Sequence, residues 1–173
     1  MGTSTLRDKT QRNANYRPSW RTFLKTPVHW FAFGFGLGLA PRAPGTFGTL
    51  LGIPLFLLLA DLSLTSYIMT LAVLAAFGVW VCGASSRRLG VHDHGGIVWD
   101  EVVGYLVTMT ALPATPGWLV AGFVVFRFFD IVKPWPIGWF DRKVHGGFGI
   151  MLDDIIAGLM GAAVLQAAVF ALA

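Results

Sequence analysis

Five stretches of this chain contain no Asp, Glu, Lys or Arg: residues 26–41, 43–60, 62–86, 102–126 and 155–173. Together they make up more than half of its 173 residues. Runs of that length cannot all lie against water, and the chain has few charges with which to cover them. It is 55% hydrophobic and 13% charged, where a soluble domain carries about 25% charged residues. The cover this implies is a bilayer, the alternative being a soluble helical bundle with unusually apolar helices. A spanning helix needs about 20 mostly apolar residues, and residues 64–84 satisfy that alone, with 155–173 close behind. The run 102–126 is interrupted by LPATPG and reads as two short helices around a turn. Pro54 predicts a kink in 43–60. FGFGLGLA is compatible with helix or extended backbone. One domain is expected, over 28–173, preceded by a polar, basic arm over 1–27 that is disordered or lies on the surface.

Charge placement gives an orientation. If the arm is cytoplasmic, a hairpin leaves through 47–60, turns at Asp61, and returns through 64–84 to Arg87 and Arg88. A second hairpin turns at 113–117 and returns to Arg127, Lys133, Arg142 and Lys143. The last helix then leaves the C-terminus outside. No Lys or Arg falls in an outer loop, as the positive-inside rule requires. Every acidic residue except Asp61 falls on the inner side too. The expected architecture is therefore all-α: a small multi-helix integral membrane bundle with its polar site at the cytoplasmic end. Trp135 and Trp139 read as interface anchors, and His29 as interfacial. Six of the thirteen basic residues lie in the first 25 positions, and no basic stripe with interleaved aromatics exists, which argues against nucleic acid as a partner. A single cysteine excludes an internal disulfide and a cysteine-rich metal site.

The acidic residues come in pairs. His94-Gly95-Gly96 precedes Asp100-Glu101, and His145-Gly146-Gly147 precedes Asp153-Asp154, each pair leading into an apolar helix. A carboxylate at a helix start suits the helix dipole, which accounts for one acid per helix. Two adjacent like charges at a membrane boundary repel, and a divalent cation relieves them. Oxygen donors in excess of imidazole point to Mg²⁺ or Mn²⁺ over Zn²⁺. Arg127, Asp130 and Lys133 are spaced by three and predict one helical face, with Pro134 and Pro136 ending the helix. The turn Pro41-Arg42-Ala43-Pro44-Gly45-Thr46 opens a helix and offers backbone N–H groups to an anion; it lacks the Gly-Lys-Ser/Thr ending of a Walker loop. Cys82 and Arg88 have the Cys-five-Arg spacing of a thiolate phosphatase. However, Cys82 closes the most apolar run in the chain, where desolvation opposes thiolate formation. In the last helix, Ala157/Gly161 and Gly158/Ala162 form a small face for close packing.

Four strings, GLAPRAPGTFGTLLGIPL, VHDHGGIVWDEVVG, FRFFDIVKPWPIGWFDR and VHGGFGIMLDDIIAG, resemble the bacterial phosphatidylglycerophosphatase A family, over about residues 30–161. The resemblance implies an inner-membrane, Mg²⁺-dependent lipid phosphatase that converts phosphatidylglycerophosphate to phosphatidylglycerol. It would be a multi-pass protein among membrane lipids, with its active site facing the cytoplasm. Within that frame the residues suggest roles. Asp100, Glu101, Asp153 and Asp154 form the expected metal cage, with Asp130 assisting. Arg42, the Gly45-Thr46 turn, Arg127 and Lys133 bind phosphate oxygens. His94 or Asp93 serves as general acid or base. Two other readings remain open at this level: a proton- or cation-coupled transporter built on intramembrane carboxylates, and a structural membrane protein whose acids only cap helices.

Overall fold

The computed structural model of the chain describes residues 20–91 and 94–172. Among them there is no strand, in agreement with the all-α expectation. Two short helices, α1 (Trp20–Lys25) and α2 (Pro27–Ala32), lead into a 3-10 stretch, Gly34–Leu39. FGFGLGLA is thus a kinked helical turn, reversed by left-handed Phe35 (φ 58°) and Gly36 (φ 103°). Then follow α3 (Pro44–Leu59), α4 (Leu64–Leu89), α5 (Trp99–Thr108), α6 (Pro116–Val132), α7 (Ile137–Lys143) and α8 (Gly146–Leu172).

Helix boundaries follow local chemistry. Pro stands in the first turn of α2, α3 and α6, where its missing N–H costs nothing. The Ser63 side chain accepts the Ser66 N–H at the start of α4. That helix ends with Arg87 and Arg88 in its last turn and Gly90 left-handed at φ 70°, a favourable cation placement and a glycine terminus. Pro54 lies inside α3, and the helix runs through it to Leu59.

Every residue of α5 except Glu101 is buried, and α3, α4, α6 and α8 pack around it. Two apolar clusters flank it. On the α4 side are Val81, Cys82, Trp99, Val103, Ile150 and Met151. On the other are Phe56, Tyr105, Leu106, Phe126, Ile137 and Ala157. Tyr67 Oη donates to the Leu106 carbonyl at 2.7 Å, and Gln166 Nε2 to the Thr110 carbonyl at 2.8 Å. These bonds tie α4 and α8 to the C-terminal end of α5, where backbone carbonyls lose their helical partners.

Two helices, α4 with 26 residues and α8 with 27, are long and apolar enough to cross a membrane. Only 28% and 22% of their most apolar windows are buried inside the protein. A soluble core helix would hide that surface; here Val73, Phe170 and Leu172 face outwards. The helix α5, at ten residues, is about 15 Å long and does not cross alone.

Candidate active site

The close approach of α5 and α8 creates the site. A Cβ on Gly158 would stand 2.5 Å from the Gly104 carbonyl oxygen, and one on Gly104 2.9 Å from the Asp154 carbonyl oxygen. Gly147 meets the Val79 carbonyl and Gly83 of α4 in the same way. The small face expected on the last helix therefore packs on α5, with Ala157 and Gly161 also buried. Backbones this close bring the first turn of α5 against the third turn of α8.

Asp100, Glu101 and Asp154 converge there. One carboxylate oxygen from each lies within 4.8 Å of the others. Asp100 is 7% exposed, and its Oδ1 is buried with no hydrogen-bond partner, as is Glu101 Oε2. Buried carboxylate oxygens without donors are costly. Three hard oxygen ligands around one point, partly unsatisfied, are what a divalent cation such as Mg²⁺ takes. Asp100 and Glu101 stand on α5, outside the two helices long and apolar enough to cross a membrane. Burial pushes the Asp100 carboxyl well above the ordinary carboxylate range, and the charges of Glu101 and Asp154 push it further. Burial raises Glu101 to about 7, against the pull of its hydrogen bond with Asp100 and of Arg127.

Two cations, one in the last turns of α6 and one just past its end, hold the surrounding acids. Arg127 Nη1 donates to Asp130 Oδ2 at 2.5 Å and lies 3.8 Å from Glu101 Oε1. Lys133 leaves the helix: it is the residue after Val132, left-handed at φ 44°. It does not continue the expected Arg127–Asp130–Lys133 face, because the following proline disfavours helical backbone there. Its Nζ donates instead to Asp153 Oδ2 at 2.5 Å and Asp141 Oδ1 at 2.8 Å. Burial lowers the Lys133 pKa, and the bonds to Asp141 and Asp153 outweigh that and hold the ammonium above its ordinary value.

Gly45 sits against this group. A Cβ there would overlap Glu101 Oε1 and stand 2.9 Å from Arg127 Nη1. The N-terminus of α3 therefore abuts the acidic cluster, with its dipole positive towards it. Thr46 is half-buried in the same turn, and Arg42 is exposed just ahead of it. Asp153 lies outside the three-carboxylate group, against Lys133. His94 is buried; its Nδ1 accepts the Gly96 N–H at 3.0 Å and its ring is 5.6 Å from that of Phe33. Asp93 lies outside the described residues.

Two further differences from expectation stand out. The paired-acid echo is broken: Asp100 and Glu101 are in the first turn of α5, but α8 begins at Gly146, so Asp153 and Asp154 stand two turns inside it. His29 is not interfacial; it is 2% exposed and its Nδ1 pairs with Ser85 Oγ at 2.8 Å. Trp135 and Trp139, by contrast, are exposed as anchors should be. Sequence places Asp141 on the inner side with the other acids but gives it no role, because it sits in a seven-residue helix with no apolar periodicity to orient it. Cys82 is fully buried beside Asp100.

The family model for phosphatidylglycerophosphatase A matches residues 30–169. A phosphatidylglycerophosphatase A from Escherichia coli (strain K12) is 48% identical over 146 residues, covering 84% of this chain and 85% of that protein. One from Haemophilus influenzae is 43% identical over 152 residues, 87% of this chain and 93% of that protein. A third relative, from Bacteroides thetaiotaomicron, is 39% identical over 137 residues and is named provisionally as a phosphatidylinositol-3-phosphatase. No solved structure matches the chain. The matched span takes in α5, α6, α7, the Gly45 turn and all but the last residues of α8, and with them every described side chain of the acidic site: the chain belongs to the phosphatidylglycerophosphatase A family.

Proposed function

We propose that this membrane enzyme, a phosphoric monoester hydrolase by family, removes the terminal phosphate of phosphatidylglycerophosphate at the Asp100–Glu101–Asp154 group, with Mg²⁺ as its cofactor. The observation that carries this is the convergence of three carboxylates, with buried oxygens left without donors, next to a helix N-terminus and an arginine. Acids alone would repel a phosphate. A bound divalent cation supplies the missing charge, polarises a phosphoryl oxygen and acidifies water.

The chain's own part is positioning and electrostatics, which dominate phosphoryl transfer. Asp100, Glu101 and Asp154 would hold the metal. Arg127 and the α3 N-terminus at Gly45-Thr46 would orient the phosphate oxygens, with Arg42 at the entrance. Asp130 keeps Arg127 in place. His94, shortly before α5 in the chain, or Asp93 would carry the proton traffic to and from the leaving oxygen and attacking water. Asp153, bound to Lys133, backs Asp154 from the next position.

Topology supports a headgroup-level site. Asp154 is about 12 Å along α8 from Gly146 at 1.5 Å per residue. The same end of the bundle carries Arg87, Arg88, Arg142 and Lys143. By the positive-inside rule that end faces the cytoplasm of the bacterial inner membrane, the chain crossing more than once.

The test is phosphate release from phosphatidylglycerophosphate by purified protein in detergent. Release stopped by EDTA and restored by Mg²⁺ is expected. Release indifferent to EDTA would transfer the chemistry to Cys82 and Arg88. Ion flux in sealed vesicles without any release would favour a transporter.

A further inference from the structure

We propose that Asp141 is a positioning residue that holds the Lys133 ammonium ready for the substrate's phosphate and is displaced by it. This rests on the phosphatase reading above and adds a residue to which that reading gives no part. Lys133 joins three elements: it ends α6 and donates to Asp141 of α7 and Asp153 of α8. Its left-handed backbone, φ 44° and ψ 55°, turns it out of the α6 spiral towards α8, and Pro134 restricts its alternatives.

Its two acceptors are unlike. The Asp153 side chain is 9% exposed, deep beside Asp154; the Asp141 side chain is 41% exposed, at the rim. An ammonium has three N–H donors, and two are directed at these carboxylates. A phosphate dianion comes from the exposed side, where Asp141 stands. The two anions compete for one cation, and only Asp141 can turn out into water without losing buried contacts. Asp153 keeps Lys133 anchored while the outer bond changes partner. Asp141 thus occupies the Lys133 donor that a phosphate would take, at the cost of some affinity for phosphate.

Removing the competitor should tighten binding. An exposed pair of this kind is worth up to about 1 kcal/mol, or about two- to five-fold in affinity. In Asp141→Asn, and in Asp141→Ser as a second variant, the KM for phosphatidylglycerophosphate and the inhibition constant of inorganic phosphate should both fall by about that factor, and the change should shrink at high salt. In a Lys133→Met background, whose own KM should be raised about ten-fold, the Asp141 substitution should move neither constant, since the coupling runs through Lys133. Unchanged or raised constants in Asp141→Asn, or an equal fall without Lys133, would overturn the exchange. A parent protein that releases no phosphate would instead count against the phosphatase reading.

Discussion

A Cβ built on Gly158 of α8 lies 2.5 Å from the carbonyl oxygen of Gly104 in α5. No side chain fits between the two backbones at that point. The crossing they permit carries Asp154 to Asp100 and Glu101, so the three-carboxylate geometry depends on the absence of side chains at Gly104 and Gly158.

Gly158→Val should therefore force α5 and α8 apart. Overpacking of this sort costs about 1–3 kcal/mol. The expected outcome is a folded protein with a lowered detergent melting temperature, a higher Mg²⁺ concentration for half-maximal activity, and little phosphate release. Parent-like Mg²⁺ dependence in that variant would show that the crossing does not set the site.

The acids should not be equivalent. Asp100→Asn and Asp154→Asn each remove a candidate metal ligand, and the loss in activity should exceed the roughly 10–100-fold typical of an outer-shell partner. Asp153→Asn, which leaves the three-carboxylate group intact and uncouples Lys133, should fall within that smaller range. Mg²⁺ titrations of activity separate the cases: excess metal should partly rescue Asp154→Asn. A loss in Asp153→Asn as great as in Asp154→Asn would place Asp153 among the ligands.

Gly45→Val tests the approach of α3. Its side chain would displace Glu101 and press on Arg127, with no need to unfold α3, since valine is tolerated in helices. A roughly ten-fold fall in kcat/KM, about 1.4 kcal/mol, is expected together with a parent-like melting temperature. Full activity would remove the α3 N-terminus from the phosphate site.

His29 gives a pH dependence of stability. Burial lowers its pKa below 6.5, and the charge of Arg88 and the proximity of His94 add to this. The folded state therefore holds a neutral ring paired with Ser85. Its contribution is complete above 6.5, the unfolded value, and is lost as pH falls below it, because the unfolded chain then binds the proton more readily. Melting temperature should drop on going from pH 7 to pH 5, and His29→Gln should flatten that slope. An equal slope in the variant would assign it to other groups.

Much of the site could be read before the fold. Uncharged runs announced a membrane bundle because burying charge in lipid is costly, and the small face of α8 was legible because glycine and alanine at four-residue spacing leave a helix flat. Asp100, Glu101, Arg127 and Gly45 were named from local chemistry. Lys133 was placed on the wrong face, since periodicity could not reveal that its backbone turns left-handed before a proline. His29 was misplaced because an aromatic neighbour says nothing of what packs over it.

By itself, then, the sequence determined the helical membrane class, the family and which carboxylates stood at the polar end, since hydropathy, spacing and charge are properties of the chain read in order. Only the tertiary structure decided which acids meet. Asp153 and Asp154 are neighbours in the chain, but successive side chains on a helix diverge by about 100°. One turns to Asp100 and Glu101 across the Gly104–Gly158 crossing, and the other to Lys133.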